Sequence, residues 1–228
     1  MANFSTHIQV AAVASGAAAT GLLSLHQLTL NQAIICWCAG TLGGILPDID
    51  SDNSHSLSIL FGVLSFAASI IAVVLTVGQW PITWVWGLCL GLIFAAHWVV
   101  RPLFELFTVH RGVFHSLIAI VLFAVVTSAA AFQLGMSAKV SWWLGLFIAG
   151  GAFVHLLLDE IFAVDFMNIE VKRSFGTALK VFDYDNKRTA SLIIALIGGC
   201  LVFAPPVEQL QALVQGLAPV VDMFAGNQ

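Results

Sequence analysis

Repetition constrains this chain most: apolar runs of about twenty residues recur along its length, separated by short polar stretches. Twenty apolar residues wound as an α-helix rise about 30 Å, the thickness of a bilayer's hydrocarbon core. With 60% of its 228 residues hydrophobic and 9% charged, the chain has too little polar surface to coat a water-soluble fold of this size. In lipid, each segment must satisfy its own backbone N–H and C=O groups, so the runs are expected to be helices. The fold class read from the sequence is therefore all-α: a polytopic helical membrane protein of about seven transmembrane helices, six to eight being the range.

The runs cover residues 7–25, 28–46, 57–77, 80–100, 113–134, 142–163 and 189–204. The first is rich in Ala, Gly and Ser, which allow close helix–helix approach in lipid and place it inside the bundle. Gly40 and Gly44 continue that spacing in the second run, which stops at Pro47. Gly87 and Gly91 share the spacing and read as internal packing before self-association. Trp80, Trp84 and Trp86 suggest an aromatic belt at one interface. Residues 164–188 are the one long polar stretch and are expected to be an ordered loop of a single bundle, 1–206. Beyond Pro205-Pro206, Val207, Leu210, Leu213, Val214, Leu217 and Val221 recur at helical spacing, so 207–228 is expected to be an amphipathic surface helix. The four cysteines lie in or beside apolar runs and read as buried small hydrophobes. No Lys or Arg precedes His7, so the first run lacks a secretory signal's basic n-region and is expected to be retained.

Seven spans place the N-terminus and residues 47–56, 101–112 and 164–188 on one face. That face then carries seven of the eight Lys and Arg residues, leaving only Lys139 opposite. By the positive-inside rule it is cytoplasmic. The net charge of −4 argues against direct nucleic-acid binding, which wants a concentrated basic face.

Chemistry-bearing residues gather on the same face. Asp48, Asp50 and Asp52 alternate just past the second run, and alternate side chains of an extended segment point one way. An EF-hand loop starts similarly, but Asn53 and Ile59 stand where it needs Gly and Glu. Asp52 reads as a solvated turn or cap; Asp48 and Asp50 read as metal ligands. His110-Arg111-Gly112-Val113-Phe114-His115-Ser116 packs two imidazoles, a guanidinium and a hydroxyl at the edge of the fifth run. Arg111 suits an anionic substrate oxygen, and Ser116 either a helix cap or the site. His155 and Asp159 are four apart, hence on one helix face, and a carboxylate within an apolar helix is a functional hypothesis by default. His7 opens the first run on that side. His97 is a weaker candidate, His26 falls on the opposite face, and His55 reads as a loop residue.

His7, Asp48, Asp50, His110, His115, His155 and Asp159 exceed the three protein ligands of one catalytic zinc. Either two ions share a bridging carboxylate, or one ion is accompanied by a general acid and base. The implied cofactor is one or two divalent metal ions, zinc first, with manganese or iron compatible. Asp159, His115 and Arg111 are the expected catalytic residues. No His-Glu-x-x-His, Gly-x-Ser-x-Gly or P-loop is present.

Thr6-His7, Leu46-Pro47-Asp48-Ile49-Asp50-Ser51, the 110–116 motif and His155-Leu156-Leu157-Leu158-Asp159 together resemble the YdjM-like family, over about residues 6–165. That family is described as LexA-binding, inner-membrane-associated proteins inferred to be metal-dependent hydrolases. The resemblance implies a bacterial inner-membrane location and these His and Asp residues as metal ligands. Two functions follow as expectations. One is a metal-dependent hydrolase at the cytoplasmic leaflet, acting on a phosphate ester or phosphodiester of a membrane lipid or lipid-linked substrate, with Arg101, Arg111, Lys172 and Arg173 available to hold phosphate. The other is a non-enzymatic anchor that recruits a cytosolic regulator such as LexA through residues 164–188, its metal site structural. A transporter ranks third, because the His and Asp residues sit at one end of the spans rather than along them.

Overall fold

The structure, a computed structural model, describes residues 3–50, 55–103, 114–165, 170–171, 179–181 and 187–225. His110, Arg111, Asp52, Lys172 and Arg173 lie outside the described residues. The chain divides into two compact units, 1–45 with 115–228 and the intervening 46–114.

The larger unit is helical. It comprises α1 (Phe4–Ser24), α2 (Leu30–Gly43), α5 (Leu117–Gln133), α6 (Ala138–Ala163), α7 (Lys187–Leu201) and α8 (Val207–Ala225). A two-residue antiparallel ladder, Val164–Asp165 with Glu170–Val171, follows α6. Within the expected loop, the described residues are thus partly ordered. The 26-residue α6 is the hub, packing against α1, α2, α5 and α8. Its close approaches are made by glycine. A methyl group on Gly151 would run into the Gly40 carbonyl of α2, one on Gly43 into the Ile148 carbonyl, and one on Gly145 into Ser128 and Ala124 of α5. Small residues replace hydrophobic driving force in lipid by letting backbones touch, and here they bring α2 and α6 together along two turns.

Helix ends follow local chemistry. Asn3 caps α1, its Oδ1 accepting from Thr6 N at 2.8 Å, which puts His7 in the first turn. Thr29 and Gln32 form a reciprocal capping box on α2. Ser116 caps α5, accepting from Ala119 N. The fifth helix thus starts at Leu117, four residues later than the apolar run suggested, because His115 and Ser116 are spent on the site and the cap. Carbonyls of Lys180 and Val181 accept from Leu117 N and Ile118 N at 2.9 and 3.0 Å, so the polar stretch returns to satisfy this helix start. At the far end, Leu213 of α8 is buried in a core with Leu22, Trp142, Trp143 and Phe147. The amphipathic tail therefore docks on the bundle through its apolar stripe.

The second unit is a helical hairpin. A 3-10 turn, Leu46–Asp50, leads towards α3 (His55–Thr76), and α4 (Ile82–Ala95) runs on through a π-helical turn, Ala96–Val100. Arg101 Nη1 donates to Ser58 Oγ at 2.7 Å across the hairpin. Trp80, Trp84 and Trp86 are exposed, as an interfacial belt requires. Methyl groups on Gly87 or Gly91 would meet nothing among the described residues, so the internal packing expected there is not seen.

Among the described residues, four helical segments are long and apolar enough to cross a membrane: Phe4–Ser24, Leu57–Thr76, Ile82–Leu103 and Ala138–Ala163. Leu117–Gln133 and Arg188–Leu201 are apolar but shorter.

Candidate metal centre

Three imidazoles of the larger unit converge on one carboxylate. Asp159 lies near the end of α6, 3% exposed, one turn beyond the wholly buried His155. His7 Nε2 is 3.3 Å from Asp159 Oδ1, while His115 Nε2 and His155 Nε2 are 3.5 and 3.6 Å from Oδ2. The rings of His7 and His155 stack with centroids 3.7 Å apart, and His115 meets His155 edge-on at 5.5 Å. His7 is 2% exposed; the His115 side chain, 12% exposed, is the most accessible of the four.

Each donor is placed by a different local device. The i,i+4 spacing on α6 sets His155 beneath Asp159. The Asn3 cap fixes the first turn of α1 and hence His7. His115 directly precedes the Ser116 cap of α5, a helix start whose Leu117 and Ile118 amides are held by the loop carbonyls. Gly44, whose hydrogen would be replaced by a methyl colliding with Ala11, brings the end of α2 against α1.

One hydrogen bond decides the chemistry. His155 Nδ1 is 2.7 Å from the Gly44 carbonyl oxygen, which can only accept, so Nδ1 carries the hydrogen. A neutral His155 then turns the Nε2 lone pair towards an ionised carboxylate, an unfavourable pairing unless a cation lies between them. An imidazolium would relieve it with a charge-assisted bond, but such bonds are about 2.7–2.9 Å long. The three observed separations are longer. They fall at the edge length of a tetrahedron whose centre is about 2.0–2.2 Å from each N or O, roughly 3.3–3.6 Å, as for zinc ligands. The ligand atoms of His115, His155 and Asp159 lie within 4.8 Å of one another. This group can hold a metal ion. In metal-ligating histidines, such an Nδ1–H···O=C bond fixes the tautomer and the ring orientation.

Of the residues singled out in the sequence, His7, His115, His155 and Asp159 are thus brought together. Asp48 belongs to the smaller unit, half-buried in the first turn of the 3-10 helix, and Asp50 ends that helix. His110 and Arg111 lie outside the described residues. His97, in the π-helical turn, bonds back to α4, Nδ1 to the Ile93 carbonyl oxygen at 3.1 Å. His26 lies in the turn just beyond α1, at the far end, with φ 54°. The Gly44 carbonyl and the 180–181 backbone were not legible as parts of the site, because backbone groups carry no side-chain signature.

Residues 1–167 match the family model of the YdjM inner membrane protein. Neither a curated protein nor a solved structure matches the chain.

Proposed function

The chain belongs to the YdjM inner membrane protein family, and on that premise we propose that it is a membrane-bound, metal-dependent hydrolase. Its substrate is a phosphate ester or phosphodiester of a lipid or lipid-linked molecule. The observation that carries this reading is the His155 Nε2 lone pair held towards the Asp159 carboxylate by the Gly44 hydrogen bond. His115, His155 and Asp159 supply three protein ligands, the number that leaves one position for water in a catalytic zinc site. His7, on the other carboxylate oxygen, suits a second ion sharing Asp159 as bridge. A metal bound here would lower the pKa of a coordinated water so that hydroxide is present at neutral pH.

The chain's own residues do the rest. Asp159 balances the cationic charge, and the Gly44 carbonyl keeps His155 in its ligating tautomer. His115, the most accessible member, faces the substrate side. Asp48 and Asp50, close beyond Gly44 in sequence, and His110 are assigned from the sequence as further ligands, with Arg111 holding a phosphate oxygen. For membrane placement we propose seven crossings, α1 to α7. Alternating helix directions within the larger unit support it, since α1, α5 and α7 leave the cluster end and α2 and α6 return to it. The shorter crossings require local thinning of the bilayer. The cluster end is then cytoplasmic by charge.

The test is elemental analysis of the detergent-purified protein followed by turnover of long-chain phosphate esters. Bound zinc or manganese with metal-dependent release of phosphate is expected, and Asp159→Asn is expected to remove both while leaving the helical content intact. Bound metal without turnover of any ester would sink the hydrolase reading in favour of a membrane anchor for a regulator such as LexA.

A further inference from the structure

Two hollows mark the larger unit, one at the end remote from the histidines and one running from there along α6. One is polar, about 540 Å³, bounded by His26, Gln27, Gln32, Ser137 and Lys139. The other is an almost wholly apolar groove of about 560 Å³ between α1, α6 and α8, bordered by Ala18, Leu25, Trp143, Gly150, Val154 and Leu217. No residue borders both, but one face of α6 runs past each. Lys139, Trp143, Leu146, Gly150 and Phe153 follow one another along α6 at spacings of four, three, four and three, which is one stripe of a helix. The lysine therefore heads the stripe that walls the groove.

The groove's length is informative. From Trp143 to Val154 is eleven residues, about 16 Å of helix, close to the roughly 15 Å that one leaflet contributes to the hydrocarbon core. A methyl group on Gly150 would meet nothing, whereas the neighbouring Gly151 is filled by α2, so the space opens on one side of α6 only. One charged group marks its head. Lys139 Nζ donates to Gln27 Oε1 at 3.1 Å, and among the described residues it meets no carboxylate.

We propose that the two hollows form one binding site for an anionic phospholipid of the leaflet at this end of the bundle. Its phosphate lies against the Lys139 ammonium, and one acyl chain fills the groove. Lys139 and Trp143 are one helical turn apart, about 6 Å, so the headgroup position stands one turn beyond the groove's first wall residue on α6. A hydrocarbon chain gains little by leaving lipid for an apolar groove, so selection falls to the headgroup. No residue of the metal centre lines either hollow.

The full chain, delipidated in detergent, is given phosphatidylglycerol or phosphatidylcholine with the same acyl chains, and retention is read by native mass spectrometry. One phosphatidylglycerol per chain is expected, with a preference over phosphatidylcholine of about fivefold, the factor for one lysine near anionic lipid. Lys139→Gln should lose the preference and Lys139→Arg keep it. Gly150→Leu, which projects into open space, should lose retention of both lipids, with circular dichroism and gel filtration confirming its fold. Ala18→Leu, on the facing wall, should do the same. Asp159→Asn should retain phosphatidylglycerol as the wild type does. Equal retention of the two lipids by the wild type, or a preference unaltered in Lys139→Gln, overturns the headgroup assignment. Undiminished retention in both groove variants overturns the chain's placement.

Discussion

Gly151→Ala is the substitution that most directly couples the packing of this protein to its proposed chemistry. The added methyl would sit well inside van der Waals contact with the Gly40 carbonyl and the Gly44 amide nitrogen of α2. Relief requires α2 and α6 to part by more than about 1 Å, because neither obstacle is a flexible side chain. The His155 Nδ1 to Gly44 O bond, 2.7 Å in the native structure, spans that same interface. Moved outward by this amount it passes the roughly 3.5 Å limit beyond which no hydrogen bond is counted. The expected cost is about 1–3 kcal/mol for overpacking, with about 1 kcal/mol more for the lost bond. Together these lower the unfolding temperature by roughly 4–16 °C in a protein of this size. Losing the contact that orients a ligating histidine typically costs about 10- to 100-fold in metal affinity. Metal content and thermal unfolding of the purified variant are the assays. Gly150→Ala, one residue away in open space, should be neutral in both and serves as the control. Wild-type metal content and unfolding temperature in Gly151→Ala would refute both the close helix approach and its role in setting the site.

Ser116→Ala removes the α5 cap and should destabilise the protein by about 1 kcal/mol. It should also weaken metal retention, since His115 is held by that helix start, and both effects are read by the same two assays. The seven-crossing topology predicts that a cysteine at Lys139, in a chain whose native cysteines are replaced, reacts in intact cells with a membrane-impermeant maleimide. A cysteine at Arg111 should stay unlabelled until the membrane is opened, and the reverse pattern would overturn the orientation.

Half of the site could be read directly from the chain because its logic is local. His155 and Asp159 are an i,i+4 pair whose shared face needs only helical geometry, and His115 stands beside a serine suited to cap a helix. His7 was a weaker inference. Its meeting with Asp159 depends on the crossing of α1 and α6, which spacing within one segment does not encode. The small-residue pattern did signal close approach, and Gly40 does lie where α2 touches α6; Gly87 and Gly91 carry the same spacing without such a contact. The pattern says that backbones can approach, not that they do. Helix lengths were overestimated where polar devices intervene: hydropathy alone could not show that Ile45 to Asp50 leave the helix for a 3-10 turn, or that α5 begins after Ser116. The 180–181 contact was invisible for another reason, since carbonyl groups are the same in every residue and only the fold chooses which helix start they meet.

Whether the ion builds the bundle or is received by it can be decided from where the packing lies. In small zinc domains the metal supplies most of the folding free energy, about 10–16 kcal/mol, and the apo form is unfolded. Here a buried core with Leu22, Cys36, Trp142, Trp143, Phe147 and Leu213 lies at the end away from the histidines. The glycine contacts of α2 with α6 likewise use backbone atoms that owe nothing to the cluster. The bundle should therefore persist without the ion. Chelation is expected to leave the helical circular dichroism essentially unchanged and to lower the unfolding temperature only by the linkage term, about 2.7 kcal/mol at a hundredfold excess of free metal over its dissociation constant. The stripped protein should also recover full metal content on dialysis against zinc. Loss of helicity on chelation would show instead that Asp159 and its three imidazoles hold the helices together, a structural site in which no position need be kept for water.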